Sequence, residues 1–160
     1  QVYTRSDACG AAEIWAKYLG GKQEDLKGTG VYGDPGIADA IKKDVNGIGY
    51  ANLNYAFDMS TGRPVAGLVA VPIDVNENGK VDAEEQIDTK AKTVKAIQAG
   101  VYPSPPSRDL FVVTHKQFSG LSRQFVLWIL TDGQKYVEDA GYVRLLDPQI
   151  ADAIKQLETP

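Results

Sequence analysis

A cluster of prolines divides this sequence. Tyr102-Pro103-Ser104-Pro105-Pro106 places three prolines within four residues. Proline has no backbone N–H and a fixed φ, so such a segment fits neither a helix interior nor a central strand. We therefore predict a stiff extended connector here, crossing between one part of the chain at 1–101 and another at 102–160. Arg108, just after the connector, is a candidate hinge residue.

Short apolar or β-branched stretches alternate with amphipathic helical patterns on both sides of the connector. Predicted strands are Gln1–Arg5, Ile48–Tyr50, Val65–Ile73 and Asp109–His115. Predicted helices are Cys9–Leu19, Asp34–Asp44, Glu84–Ala99, Leu121–Leu130 and a last short helix from Asp147. The apolar stripe Leu121, Phe125, Trp128 and Ile129 is interpreted as core. This alternation favours an α/β protein with a largely parallel or mixed sheet.

Composition excludes several classes of function. The net charge of −4 shows no basic excess, which disfavours nucleic acid as a partner. The longest apolar runs are far shorter than the roughly 20 residues that span a bilayer. A single cysteine, Cys9, excludes an internal disulfide, and a single histidine, His115, excludes a zinc site with several histidines.

The turn between the first predicted strand and helix could hold an anion. The first turn of a helix has unpaired backbone N–H groups and a partial positive charge. Small side chains in Ala8-Cys9-Gly10-Ala11 would let an anion approach these groups. Arg5 could add a planar cationic fork, held in place by Asp7. The alternative is an ordinary strand-to-helix turn with a surface ion pair.

Arg5-Ser6-Asp7-Ala8-Cys9-Gly10-Ala11 resembles the Arg-x-Asp-x-Ser-Gly-Thr motif of the phosphate-binding proteins of phosphate ABC transporters, which have the type II periplasmic binding protein fold. Further segments match in the same order along the chain, over about Tyr3 to Leu146. These segments are Gly33-Asp34-Pro35-Gly36, Gly47-Ile48-Gly49-Tyr50, Tyr102-Pro103, Gly133-Gln134 and Gly141-Tyr142-Val143.

The resemblance implies a solute-binding component of a phosphate uptake system, without catalytic activity, that works with a membrane ABC permease. By position, Arg5 would bind phosphate, Asp7 would orient Arg5, and the N–H groups of Cys9, Gly10 and Ala11 would donate. Cys9 stands where the family has serine and Ala11 where it has threonine. Two hydroxyl donors are therefore missing, and sulfate or another oxyanion is an alternative ligand.

Family members are two-lobed chains about twice this length. By the resemblance, Gln1–Val101 would be the second lobe and Tyr102–Pro160 the return segment of the first. We expect the chain to be a fragment or one partner of a split pair, whose missing N-terminal half lies in the same protein or in a separate chain. That half includes the aspartate with which the family rejects sulfate. We therefore expect weak phosphate binding by this chain alone.

A twelve-residue segment, Asp74–Glu85, fits the EF-hand calcium loop, with oxygen side chains at positions 1, 3, 5, 9 and 12 and Gly79 at position 6. Calcium prefers six to eight oxygen ligands. The alternative is a polar Asn-Gly turn. We expect a strand before the loop and a helix after it, and a structural calcium ion bound at about 0.1 to 1 mM. The predicted ligands are Asp74, Asn76, Asn78, Lys80 through its carbonyl, Asp82 and Glu85.

Weak calcium affinity is typical of extracellular modules, which favours a periplasmic or extracellular location, with a membrane anchor on a removed N-terminal segment as one possibility. A different hypothesis is a calcium-stabilised interaction module without anion transport. A third is an enzyme with Cys9 as nucleophile. The Cys-x5-Arg spacing of phosphatases is absent, however, because Trp15 occupies the position of the arginine.

Overall fold

The computed structural model describes residues 1–158. Within them the protein is mixed α/β, with six α-helices and one parallel sheet of two strands, β1 and β2. No helix among these residues has both the length and the apolar character needed to cross a membrane. The elements are β1 (Tyr3–Arg5), α1 (Gly10–Tyr18), β2 (Thr29–Val31), α2 (Gly33–Lys43), α3 (Leu53–Ala56), α4 (Lys90–Gln98), α5 (Gly120–Leu130) and α6 (Asp147–Glu158). Short 3-10 turns cover Gln23–Asp25, Ala83–Glu85 and Asp132–Tyr136.

The chain forms two compact units, Gln1–Arg108 and a second unit that begins at Asp109. The boundary therefore follows Arg108 rather than Val101. The predicted extended connector is wrong, because the proline segment closes into a turn in which the Ser107 N–H donates to the Pro103 carbonyl at 3.0 Å. The last two residues of the predicted segment 102–160 lie outside the described residues.

The first unit is built around β1. This strand pairs in parallel with β2, with Thr4 opposite Gly30. The predicted strand Ile48–Tyr50 is reduced to a single parallel bridge between Val2 and Ile48 on the other side of β1. Helix α2 packs against both strands, and α1 packs against the 3-10 turn Gln23–Asp25. The buried residues of these two helices are Ala12, Ala16, Ile37 and Ala38.

The segment before the calcium-loop sequence is not a strand. Val69 is 84% exposed and Val71 61% exposed, although β-branched residues usually favour strands. Gly67 takes a positive φ of 85°, and the Leu68 N–H donates back to the Val65 carbonyl at 2.9 Å. A turn therefore interrupts the predicted strand Val65–Ile73 near its start.

The predicted helix Glu84–Ala99 is divided in two. A 3-10 turn covers Ala83–Glu85, and α4 begins only at Lys90. Thr89 caps α4 by accepting a hydrogen bond from the Lys92 N–H at 3.3 Å. Threonine at this position stops the helix from extending further toward the loop.

The second unit confirms the two predicted helices but not the predicted strand. Residues 109–115 pair with no strand in the described chain, and Phe111 and Val113 are more than four-fifths exposed. On α5 the buried residues are Val126 and Leu130. The interpretation of the apolar stripe as core is wrong for its first three residues, since α5 turns a neighbouring face inward. The exposed stripe residues are Leu121, Phe125 and Trp128.

Candidate functional site

The predicted anion turn lies where two parallel strands end. β1 ends at Arg5 and β2 at Val31, and each strand is followed within a few residues by a helix. Because the strands are parallel, the residues that follow them meet at one edge of the sheet. In α/β proteins this edge commonly carries ligand sites.

Arg5 lies at the centre of this edge. Its Nε donates to Asp7 Oδ1 at 2.8 Å, and its Nη2 pairs with Asp7 Oδ2. Its Nη1 donates to Asp34 Oδ1 at 3.1 Å. The side chain is only 10% exposed, so this geometry is well fixed. A guanidinium has five N–H donors, and these three contacts leave two of them for another acceptor.

The Asp7 carboxylate is held from two sides. Besides its bidentate pair with Arg5, it accepts the Gly33 N–H at 3.1 Å. The Arg5 guanidinium, with help from this N–H, holds the pKa of Asp7 well below its usual range. The same pair raises the pKa of Arg5, and the Cys9 and Asp34 side chains favour its charged form further. The ion pair is therefore charged throughout the physiological pH range.

The start of α1 leaves backbone donors unsatisfied. Cys9 is the N-cap residue, and its Sγ accepts the Ala12 N–H at 3.4 Å. The Cys9 N–H itself donates to Gln23 Oε1 at 3.5 Å, a long contact. Within residues 1–158, the N–H groups of Gly10 and Ala11 have no protein acceptor. Of the three predicted backbone donors, two are thus available and one is weakly engaged.

The residues predicted for the anion turn are brought together, and several others join them. Asp34 completes the carboxylate pair around Arg5 and also accepts from Asn52 Nδ2 at 3.0 Å. Gln23 Nε2 donates to the Asp7 carbonyl at 3.0 Å, and Tyr50 Oη accepts the Arg5 N–H at 3.3 Å. Sequence reasoning gave Asp34 as the start of a predicted helix and as part of the matching segment Gly33-Asp34-Pro35-Gly36, but not as a partner of Arg5. The strand β2 that brings it there was not predicted.

Arg108 is a further member of this group. Its guanidinium lies against Gly10, so that a β-carbon on residue 10 would be 2.6 Å from Nη1. A larger residue at position 10 would require the exposed end of the Arg108 side chain to move. Arg108 thus stands at the N-terminal end of α1, next to the available N–H groups.

In the predicted calcium loop, side-chain oxygens accept hydrogen bonds from backbone N–H groups of the same loop. Asp74 accepts the N–H groups of Asn78 at 3.1 Å and of Gly79 at 2.7 Å. Asn76 Oδ1 also accepts the Asn78 N–H, and Asn78 Oδ1 accepts the Lys80 N–H at 2.8 Å. Gly79 has a φ of 76°, a region that glycine favours. The sharp bend expected at loop position 6 is present.

The end of the loop is anchored by Glu85, which is only 5% exposed. Its Oε1 accepts the Val75 N–H at 2.8 Å and its Oε2 the Asp82 N–H at 3.0 Å. Asp82 in turn accepts the side-chain N–H groups of Asn76 and Asn78, both at 2.8 Å. Among residues 1–158, no three acidic, thiol or imidazole side chains are gathered as metal ligands.

The donor set of this loop suits a hard cation, since all six predicted ligands offer oxygen. Binding would require the Asn76 and Asn78 amides to present oxygen where they now present nitrogen to Asp82. It would also require Glu85 to exchange a backbone partner for the ion. The flanking prediction is wrong, because neither a strand before the loop nor an α-helix directly after it is formed.

Comparisons of this chain with protein-family models, with curated proteins and with solved structures found no match. The resemblance to phosphate-binding proteins therefore depends on the motif residues themselves.

Proposed function

We propose that the protein binds an oxyanion, with inorganic phosphate as the first candidate, at the turn from Arg5 to Ala11. The observation that carries this proposal is the pair of available N–H groups at Gly10 and Ala11, in the turn that follows Arg5, whose own guanidinium is fixed in place by Asp7 and Asp34. Backbone N–H groups at a helix start bind anions without any side-chain hydroxyl. The loss of the family's serine and threonine is therefore compatible with a site built mainly from the backbone.

In this proposal each residue has a distinct task. The N–H groups of Gly10 and Ala11 donate to two anion oxygens, and the N–H of Cys9 follows if Gln23 releases it. Arg5 offers its two remaining N–H donors. Asp7 contacts no anion; it is a positioning residue that holds the guanidinium plane at a fixed angle.

The wider role proposed is that of the solute-binding component of an ABC uptake system, without catalytic activity, in the periplasm or outside the cell. It rests on the ordered motif matches, together with the Arg5–Asp7 pair that the motif requires. The partners are then a membrane permease and an N-terminal half that closes over the anion. Sulfate is the competing ligand.

A structural calcium ion at the Asp74–Glu85 loop is part of the same proposal. It is supported by the oxygen-rich donor set, the bend at Gly79 and the buried position of Glu85. The ion would replace hydrogen bonds within the loop and fix the chain between residue 73 and α4. A calcium-stabilised interaction module without anion binding is the alternative function that this loop favours.

Titration calorimetry with phosphate and with sulfate tests the anion proposal. We expect saturable binding of phosphate with Kd on the order of 1 mM, and loss of that binding in Arg5→Met. Arg63→Met, at an exposed arginine outside the turn, is the matched control and should bind as the wild type does. Absence of saturable heat with both anions, or equal binding by Arg5→Met, contradicts the proposal.

A further inference from the structure

We propose that residues 109–115 associate with the same segment of a second copy of this chain, as an antiparallel pair of β-strands. This inference goes beyond the proposed anion and calcium sites and does not depend on them. Its support comes from the unpaired backbone of the segment, from its exposed apolar side chains and from the opposite charges at its two ends.

The backbone of this segment has no partner in the described chain. No hydrogen bond engages the backbone of residues 109–116 anywhere in residues 1–158. Residues 109–114 contain no helical turn and no bend, and a bend follows at His115 and Lys116. A row of unpaired N–H and C=O groups along such a segment is a template for a strand of another chain.

The side chains of the segment have the composition of a strand and the exposure of a surface loop. Four consecutive apolar residues, from Leu110 to Val113, are of the types found in buried strands. Phe111 is 82% exposed and Val113 85% exposed. Because these two residues are two positions apart, they lie on one side of an extended segment. Aromatic and β-branched side chains stabilise each other across paired strands, so two copies would cover each other's exposed side chains.

The charges of the segment favour a second copy as the partner and an antiparallel direction. Asp109 lies at the first end, and His115 and Lys116 lie at the other end. In an antiparallel pair centred near Val112, each Asp109 lies beside Lys116 of the other copy. In a parallel pair in register, each charged residue would instead meet the same residue, which is unfavourable. The antiparallel pair also has two-fold symmetry, so it closes as a dimer.

Sedimentation velocity over a range of protein concentrations tests for this dimer. We expect the sedimentation coefficient to rise between about 10 µM and 1 mM protein and to level off at the value of a dimer. Val113→Asp should remove the rise, because it places a carboxylate among the apolar side chains of the pair. Val69→Asp, at a valine of the first unit that is 84% exposed, is the matched control and should associate as the wild type does.

Two charge variants test the direction of pairing. Asp109→Lys makes both ends of the pair positive, and Lys116→Asp makes both ends negative. Each variant alone should therefore have a dimer Kd about tenfold higher than the wild type. An equimolar mixture of the two variants should associate as tightly as the wild type, because unlike charges then meet at both ends.

Amide hydrogen exchange of the concentrated protein gives the structural readout. Every second N–H between Leu110 and Thr114 should become protected, because an antiparallel partner accepts from alternate residues along one edge. A sedimentation coefficient that does not change with concentration, growth beyond a dimer, or association that persists in Val113→Asp would overturn the inference. Equal dimer Kd values for the two charge variants alone and mixed would overturn it as well.

Discussion

Two carboxylate-containing parts of the first unit have opposite arrangements of donors and acceptors. In the turn after β1, carboxylates surround the side chain of Arg5, and the N–H groups of Gly10 and Ala11 have no acceptor within residues 1–158. In the Asp74–Glu85 loop, side-chain oxygens accept the backbone N–H groups, and no described arginine or lysine side chain pairs with these oxygens. Acidic residues alone therefore do not determine whether a site suits an anion or a cation. The backbone donors that remain unsatisfied and the charges that are already paired determine it.

The largest expected effect is that of Arg5→Met. The variant leaves the Asp7 and Asp34 carboxylates without their cation in a mostly buried place. Since loss of one partner costs about 3 to 5 kcal/mol in a fully buried pair and under about 1 at the surface, we expect a loss of about 2 kcal/mol in unfolding free energy. Urea unfolding measures it, with Arg63→Met as control. An unchanged midpoint would show that the Arg5 network does not stabilise the fold.

The calcium loop gives the next effect. At free calcium ten times its Kd, binding to the folded state alone adds about 1.4 kcal/mol to the unfolding free energy. The melting temperature of the wild type should therefore rise by several degrees with calcium, and Glu85→Gln should abolish the rise. Glu84→Gln, at the exposed neighbouring residue, is the matched control. A wild type that melts at the same temperature with and without calcium contradicts the assignment.

Replacement of the N-cap residue Cys9 tests what its side chain contributes to the anion turn. Cys9→Ser exchanges a weak sulfur acceptor for the Ala12 N–H for a hydroxyl, which is a preferred cap. We expect a gain of about 0.5 to 1 kcal/mol in unfolding free energy and a lower Kd for phosphate, since serine adds a donor. Cys9→Ala should show neither gain. Equal stability and affinity of the serine and alanine variants would mean that the side chain at this position is unimportant.

The smallest effect is expected in acid. Because the pKa of Asp7 is lowered in the folded state, the unfolded state binds more protons there as pH falls. The stabilisation from Asp7 is complete above its ordinary pKa, near 4, and is lost as pH falls through the lower folded value. The unfolding free energy of Asp7→Asn should therefore fall less steeply below pH 4 than that of the wild type. Asp39→Asn, at an exposed carboxylate, should follow the wild type.

The sequence predicted the parts of this fold that depend on local signals. The helix after Cys9 and the helix from Asp147 have a cap or a first-turn proline beside an amphipathic pattern, and both are present. The strand predicted at 109–115 depends on a partner strand, which its own composition cannot supply. Its exposed apolar side chains are therefore indistinguishable in sequence from those of a paired strand.

The candidate site shows the same limit. Arg5 and Asp7 are two residues apart, so their pairing could be predicted from spacing alone. Asp34 and Arg108 reach the site through strand pairing and through the proline turn, and neither route has a short sequence signature. The motif thus predicted the residues at the centre of the site, while the balance of charges around them could be derived only from the tertiary structure.

Amide NMR of the wild type during a phosphate titration tests the central claim most directly. The account predicts that the Gly10 and Ala11 cross-peaks move saturably, with the Kd found by calorimetry, while those of the Asp74–Glu85 loop stay in place. Cross-peaks of Gly10 and Ala11 that do not move, up to phosphate concentrations well above 1 mM, would contradict it.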